Sequence, residues 1–134
     1  MAFQCVILTP ETKLLDQQVS QAIIPAHDGL MGILTNRAPA MVRMGIGPMR
    51  VDLPDGTHSY FLIEGGLAQV KDNVLSVLTN IATPQAEVDG AAAAAAYSAA
   101  VARKAVTETE VQERDKDMQR ARVRQAMAAN RPGI

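Results

Sequence analysis

The chain has 134 residues, of which 48% are hydrophobic and 20% are charged, and its formal net charge is -1. This length fits one ordinary domain or a small domain with an appendage, and the apolar content suffices for a core, which excludes two large domains and disorder throughout. The near-neutral charge argues against general nucleic-acid binding, and no apolar run reaches the roughly 18 to 20 residues that span a bilayer.

The N-terminal segment predicts a strand with a buried thiol. It carries no basic region and no small-residue cleavage site, so we expect no secretory signal and a mature chain that begins near Met1. Cys5 is the single cysteine, which fits a reducing compartment because it cannot form an internal disulfide. It lies in an apolar run without a nearby base, so we interpret it as an inert core thiol.

Residues 1–84 show the pattern of strands separated by turns. Runs rich in β-branched and aromatic residues alternate with turn-forming residues, and no helical period lies between them. The clearest hairpin signal is Pro54-Asp55-Gly56-Thr57, which joins a run ending at Leu53 to a run beginning at His58. This pattern favours an antiparallel β-sandwich or a flattened barrel.

Residues 85–134 have the composition of helices. Asp89 predicts the N-cap of a helix over residues 91–105, which is made largely of alanine. Thr107-Glu108-Thr109-Glu110 has the spacing of a capping box and predicts a second helix that runs to about Ala129, before Pro132-Gly133 ends it. The sequence therefore divides into a β domain and a helical hairpin, with the boundary after Pro84.

The helical hairpin has few large apolar side chains to bury. The first helix offers Tyr97 and Val101, and the second offers Val111 and Met118. Alanine faces let two helices approach closely, but each alanine removes little apolar area from water. We expect the hairpin to be marginal alone, to need support from the sandwich or another protein, and to switch between supports at low cost.

The end of the second helix is basic. Residues 85–134 hold 8 basic and 7 acidic groups, and from Met118 onward the charged residues are Arg120, Arg122, Arg124 and Arg131. Basic residues at a helix C-terminus are favoured by the helix dipole, so one interpretation is a solvated, dipole-matched end. The other interpretation is a contact surface for an acidic partner.

The sequence shows no convincing catalytic or metal-binding pattern. His27 and His58 lie at turn signals without spaced ligand partners, so we interpret both as solvated surface groups. Gly45-Ile46-Gly47-Pro48 lacks the third glycine and the helix of a dinucleotide loop, which makes a turn the favoured interpretation. Glu64-Gly65-Gly66 predicts a bulge or a close backbone approach. We therefore expect no catalytic residue, no metal and no cofactor.

Several segments occur in a specific order and spacing, followed by the two-helix tail. They are FQCVILTPE at residues 3–11, KLL at 13–15, IPAHDGLMGIL at 24–34, RAP at 37–39, FLIEGGLAQV at 61–70 and NVLSVL at 73–78. Over nearly its whole length the chain resembles the epsilon subunit of F-type ATP synthases, which is called delta in mitochondria.

The resemblance implies an α+β fold, with an N-terminal antiparallel β-sandwich of about ten strands and a C-terminal antiparallel two-helix hairpin. It implies a non-catalytic rotor subunit that binds the gamma subunit and the membrane ring of proton-carrying subunits, and that couples rotation of the ring to ATP synthesis. It also implies a peripheral location on the cytoplasmic face of a bacterial plasma membrane, as part of the complex.

The resemblance also places candidate interface residues. The ring-facing turn corresponds to Asp28, Gly29 and Leu30, with Asn36, Arg37, Ala38 and Pro39 expected nearby at the same end of the sandwich as part of the ring and gamma interface. Leu30 stands where many relatives carry an acidic or polar residue, and Asn36-Arg37 replaces a common Gly-His.

The resemblance finally suggests roles for the hairpin. In bacterial relatives it folds down on the sandwich or extends into the alpha/beta catalytic head, where its basic second helix inhibits ATP hydrolysis, a role that Arg120, Arg122 and Arg124 suit. Some relatives bind ATP through Ile or Leu, Asp, two variable residues, Arg and Ala. Here the motif is Val88-Asp89-Gly90-Ala91-Ala92-Ala93, so Asp89 remains but Ala92 replaces the arginine that would bind phosphate. We expect no ATP sensing by this route.

Two other functions remain open from the residues themselves. A free-standing adaptor whose helical tail docks on an acidic partner explains the composition but leaves the ordered segments to chance. A small hydrolase would have to use His27, His58 and Glu64, and it has the weakest support.

Overall fold

The computed structural model describes residues 2–129, and within them the chain forms eight strands, a short 3-10 turn and two helices. Pro132-Gly133, the expected helix stop, and Arg131 lie outside the described residues. The elements are β1 (Phe3–Leu8), β2 (Lys13–Val19), β3 (Gln21–Ala26), β4 (Gly29–Ile33), β5 (Ala40–Asp52), β6 (His58–Lys71), β7 (Val74–Leu78), β8 (Ala82–Pro84), the 3-10 turn Gln85–Glu87, α1 (Gly90–Ala102) and α2 (Glu108–Ala128).

The strands form one hydrogen-bonded sheet in the order β2-β1-β7-β6-β5-β3-β4, and β8 adds a further pairing to β6. Every pairing is antiparallel except that between β1 and β7, which is parallel. Buried residues from both ends of this order, such as Val19 of β2 and Ile33 of β4, belong to a single core cluster. The sheet is therefore folded over into two packed layers, which confirms the predicted β-sandwich.

The two longest strands pass through both layers. The β5–β6 ladder is interrupted between Met44↔Gly66 and Ile46↔Glu64, where Gly65 and Gly66 have φ of 81° and 110°. Glycine adopts these angles without steric cost, so the strands bend there. Residues 2–129 contain eight strands where the resemblance implied about ten, because β5 and β6 each contribute to both layers as one continuous strand.

The predicted turn at residues 45–48 is wrong, because this segment lies inside β5. Gly45 sits at the bend, and Pro48 pairs with Leu62 of β6. Proline lacks a backbone donor and is normally excluded from central strands. It is tolerated here because the β3–β5 register shifts between Ile23 and Ala26, which leaves no β3 residue paired with Pro48.

The sandwich core consists of alternate residues on the inward faces of the strands. In β1 these are Phe3, Cys5 and Ile7, and the Cys5 side chain is fully buried. Burial raises the pKa of the Cys5 thiol to about 12, since the thiolate would lose its hydration. The predicted inert core thiol is confirmed.

The β-turn that connects β5 to β6 forms where the sequence predicted it. The Leu53 backbone N–H donates to the Thr57 carbonyl at 2.8 Å, and Gly56 has a φ of 92°. Asp55 Oδ1 accepts hydrogen bonds from the Thr57 backbone N–H and from its hydroxyl, at 2.9 and 2.6 Å. These bonds hold the pKa of Asp55 below its usual value, chiefly through the Thr57 hydroxyl.

Both predicted helix caps are present. Asp89 Oδ1 accepts from the Ala92 backbone N–H at 3.0 Å, and Thr107 Oγ1 accepts from the Glu110 N–H at 3.1 Å. Glu110 Oε2 accepts from the Val106 backbone N–H at 3.1 Å. In the usual capping box this side chain accepts from the backbone N–H of the N-cap residue itself, so here the bond reaches one residue further back. These bonds satisfy donors that the first turn of each helix leaves free.

The first helix ends at Ala102 rather than at residue 105. Arg103 has an extended backbone, and its Nη2 donates to Asp117 of α2 at 2.7 Å. The seam between the helices uses Ala93, Ala100 and Ala121, all buried. Val101, expected to help fill this seam, is instead 51% exposed. Alanines two turns apart allow the close approach that Val101 would hinder.

Candidate docking surfaces and hairpin interface

The β3–β4 turn presents the first predicted site. His27 and Asp28 form its exposed tip, and Gly29 has a φ of 140°. The Leu30 side chain is 54% exposed although it is large and apolar. The turn therefore presents a carboxylate beside an exposed apolar side chain at the surface.

The segment Asn36–Ala38–Pro39 lies in the connection between β4 and β5, at the other end of β4 from the turn. Gly29 and Leu30 are the first two residues of β4, so its last three residues, 31–33, lie between the two segments and span about 10 Å. The expectation that both segments lie at the same end of the sandwich stays a prediction. Arg37 partly bridges the gap, since its Nη2 lies 3.8 Å from Sδ of Met31 in the middle of β4.

The Asn36 loop is fixed to the β6–β7 turn. The Asn36 backbone N–H donates to Asn73 Oδ1 at 2.7 Å, and Asn73 Nδ2 donates to Asn36 Oδ1 at 3.2 Å. Both asparagines have positive φ, 63° and 60°. Asparagine tolerates this conformation better than most side chains, so the two loops hold each other in a defined shape.

An apolar row on the outer face of the sandwich was not predicted from the sequence. Leu67 of β6 pairs in register with Leu78 of β7, which in turn pairs with Leu8 of β1. Leu67 is 45% and Leu78 is 47% exposed, and a groove of about 500 Å³ lies beside them. The alternation of inward and outward residues in β6 was the sequence signal for an outward-facing Leu67. The three leucines come together only through the register between β6, β7 and β1, which the sequence does not show.

The predicted basic residues of α2 meet the sandwich in this structure. Arg124 Nη2 donates to Glu64 Oε2 at 2.6 Å, and Arg120 forms an ion pair with Glu64 Oε1. The Glu64 side chain is only 2% exposed. Arg122 points elsewhere, with its guanidinium 5.9 Å from the ring centre of Tyr97. The partnership of Glu64 was missed because nothing local to β6 indicates it.

A second carboxylate extends these ion pairs to α1. Asp117 accepts from Arg103 Nη2 at 2.7 Å and from Arg120 Nη1 at 3.1 Å. The Arg103 hydrogen bond is the main reason why the pKa of Asp117 lies below its usual value. The series Arg103, Asp117, Arg120, Glu64 and Arg124 therefore joins both helices to β6.

A cavity of about 630 Å³ lies between the hairpin and the sheet. Asp89 lines it but also caps α1 through the Ala92 N–H. The arginines that line it, Arg103, Arg120 and Arg124, are all paired with carboxylates. Each of these guanidinium groups is paired with a carboxylate, which lowers the net positive charge that the cavity offers a phosphate, although Nε of Arg124 has no hydrogen-bond partner in the described structure.

The hydrolase candidates do not form a site. His27 and His58 are both exposed, and His58 lies six residues before Glu64 on β6, a separation of about 20 Å. Glu64 is engaged by arginines rather than by a histidine. Within residues 2–129, no group of three or more His, Cys, Asp or Glu side chains could hold a metal ion.

Of the helices in the described part of the chain, neither combines the length and the apolar content that crossing a membrane requires. Helix α2 contains too many polar and charged residues to cross a membrane, and α1 is too short.

Comparison with known proteins identifies this combination of β-sandwich and helical hairpin. Residues 2–85 match the family described as the ATP synthase, Delta/Epsilon chain, beta-sandwich domain. The ATP synthase epsilon chain of Rhodopirellula baltica is 40% identical over 84 residues, which cover 63% of this chain and 65% of that protein. The chloroplastic epsilon chain of Nephroselmis olivacea is 35% identical over 130 residues, covering 96% of this chain and 97% of that one.

Solved structures share the fold. A chain in the Euglena gracilis mitochondrial ATP synthase structure, which contains OSCP, F1 and c-ring, superposes with a TM-score of 0.85 at 22% identity, covering 96% of this chain and 81% of that one. A chain from the central stalk and c-ring of the Tetrahymena thermophila enzyme gives 0.73 at 14% identity, covering 93% and 95%. The protein belongs to the ATP synthase delta/epsilon-chain family, a family of structural rather than catalytic subunits, and the resemblance is confirmed.

Proposed function

We propose that the chain is a non-catalytic central-stalk subunit of an F-type ATP synthase, which binds the gamma subunit and the membrane ring and transmits rotation between them. The observation that carries this proposal is the family match over residues 2–85 together with the Nephroselmis olivacea relative, which matches nearly the whole chain. Its location is peripheral to the membrane as part of the stalk, and we propose the cytoplasmic face of a bacterial plasma membrane.

The sandwich has the construction of a stiff coupling element. β5 and β6 run through both layers, and their ladder is interrupted once, at the glycine bend, so a force applied at either end is carried by backbone hydrogen bonds on both sides of that bend. The close-packed core between the layers resists compression, as protein interiors generally do. This rigidity suits a part that must transmit torque without deforming.

Two surfaces are available for the ring and gamma subunit. The turn at Asp28, Gly29 and Leu30 and the loop from Asn36 to Pro39 lie at opposite ends of β4, so we assign them to separate contacts within one interface. The apolar row of Leu8, Leu67 and Leu78 offers a third patch, which we assign to the gamma subunit because exposed apolar residues in register mark protein contacts.

The hairpin supplies regulation in this proposal. Arg120, Arg122 and Arg124 would contact acidic segments of the alpha/beta catalytic head when α2 leaves the sandwich, and this contact would inhibit ATP hydrolysis. In support, the hairpin rests on the sheet through ion pairs and small side chains rather than through a large apolar interface.

Truncation after Pro84 tests the regulatory part. We expect the truncated chain to assemble with the complex and to raise its rate of ATP hydrolysis. A second variant replaces Arg120, Arg122 and Arg124 by glutamine in the full-length chain. We expect it to raise the rate of ATP hydrolysis as well. Unchanged hydrolysis with normal assembly would reject inhibition and leave the structural role intact.

A further inference from the structure

The contact between the hairpin and the sandwich is sparse in apolar packing. The cavity of about 630 Å³ between them is lined largely by alanines of α1 together with Leu62 and Thr83 of the sheet. Met127 is the one large side chain of α2 that the described structure buries fully, and its carbonyl accepts from Gln85 Nε2 at 3.0 Å. Because alanines bury little area, apolar packing alone holds the hairpin weakly.

In contrast to this weak apolar packing, the ion pairs at Glu64 form a close polar contact between the hairpin and the sandwich. Each Glu64 oxygen meets a different arginine of α2, and the carboxylate is 2% exposed while Arg120 and Arg124 are 38% and 39% exposed. Glu64 lies on β6 beside the glycine bend, and its backbone N–H donates to the Ile81 carbonyl at 3.1 Å. The carboxylate is thus fixed by the sheet, whereas its partners belong to the helical hairpin.

We propose that Glu64, Arg120 and Arg124 form a latch that holds the helical hairpin on the sandwich. Docking removes this carboxylate from water, and only its two arginine partners offset that cost, so the docked hairpin depends on both sides of the ion pairs being present. Undocking returns the carboxylate and both guanidinium groups to water, so the latch opens without leaving a buried charge unpaired. Asp117 pairs with both Arg120 and Arg103, so the same ion-pair network also holds α1.

The latch uses the arginines that the proposed function assigns to the catalytic head, so docking on the sandwich and contact with the head exclude each other. This last statement rests on the proposed function, whereas the latch itself does not. Hydrogen exchange of the isolated full-length chain involves no hydrolysis, so the latch and the proposed inhibition can fail separately.

Hydrogen exchange of the α2 amides measures the docked state. In Glu64→Gln, which keeps the shape of the side chain but removes its charge, we expect exchange of residues 108–128 to accelerate about tenfold or more, while β5 and β6 keep their protection. Arg124→Gln should act in the same direction. Arg122→Gln is the matched control, because it removes the same charge from the same helix but contacts Tyr97 instead of Glu64.

The combination Glu64→Gln with Arg124→Gln completes a double-mutant cycle. We expect the combined effect to be smaller than the product of the two single accelerations, since either change alone opens the same contact. Accelerations that simply multiply would overturn the latch, and so would a Glu64→Gln effect no larger than that of Arg122→Gln. If Glu64→Gln also exposes β5 and β6, the comparison of Arg124→Gln with Arg122→Gln decides the question.

Discussion

Gly66 of β6 and Leu78 of β7 approach so closely that no side chain fits between them. A Cβ on Gly66 would overlap the Leu78 carbonyl oxygen and would lie 2.9 Å from the Cα of Thr79. Gly66 also has a φ of 110°, which side-chain-bearing residues rarely adopt. The bend that folds the sheet into two layers therefore depends on a missing Cβ.

Gly66→Ala should destabilise the sandwich by about 3 kcal/mol or more, because both backbone strain and a clash with a neighbouring strand oppose it. Urea unfolding followed by circular dichroism measures this as a lower midpoint. The matched control is Gly32→Ala, since a Cβ on Gly32 would meet nothing within 4 Å. Equal unfolding midpoints for the two variants would contradict the close approach.

The burial of Cys5 predicts a loss of stability at high pH. The pKa of its thiol is raised to about 12 by desolvation, against an ordinary value of 9.0. The folded state therefore keeps a proton that the unfolded state releases, so this contribution is fully present below pH 9.0 and is lost as pH rises toward about 12. Urea unfolding between pH 8 and 11, at roughly unit steps, should show this decline, and it should be smaller in Cys5→Ala. An identical pH dependence for both chains would contradict it.

The cavity under the hairpin should not bind ATP. Ala92 contributes no cation, and Arg103, Arg120 and Arg124 are already paired. Titration calorimetry of the isolated chain with ATP at millimolar concentration should show no saturable heat.

Asp89→Ala serves as the diagnostic variant for the same titration. It removes an N-cap as well as a cavity carboxylate, which costs the helix about 1 kcal/mol. Thr107→Ala removes the cap of α2 without altering the cavity lining, and it is the control for that loss. Saturable ATP binding that Asp89→Ala abolishes and Thr107→Ala preserves would refute the prediction.

The apolar row should be needed for binding to the gamma subunit. Leu67→Asp with Leu78→Asp places two charges on an exposed face, so we expect the sandwich to keep its fold but to lose gamma from its purified complex. Val106→Asp changes a side chain that is 87% exposed in the loop between the helices and should leave assembly unchanged. Normal recovery of gamma with both leucines replaced would remove this row from the interface.

Sequence reasoning succeeded where local chemistry decides the structure. The Asp55-Gly56 turn and the caps at Asp89 and Thr107 need only side chains within a few residues, and all three were predicted. The composition also changes after Pro84, and the domain boundary placed there stays a prediction.

The errors arose where the structure depends on distant partners. Pro48 lies in a strand because the register of β3 shifts opposite it, and Val101 is exposed because alanines form the helix seam. The two arginines meet Glu64 sixty residues away along the chain from Arg124. Neither spacing nor composition carries such pairings, so the interface residues of the hairpin could be listed as basic but not assigned a partner.

The most direct measurement is purification of the full-length chain through an epitope tag from its own host. We expect the gamma subunit and the alpha and beta subunits of the catalytic head to be recovered with it. Recovery of the tagged chain alone, while the assembled synthase is isolated from the same cells without it, would contradict the role of stalk subunit.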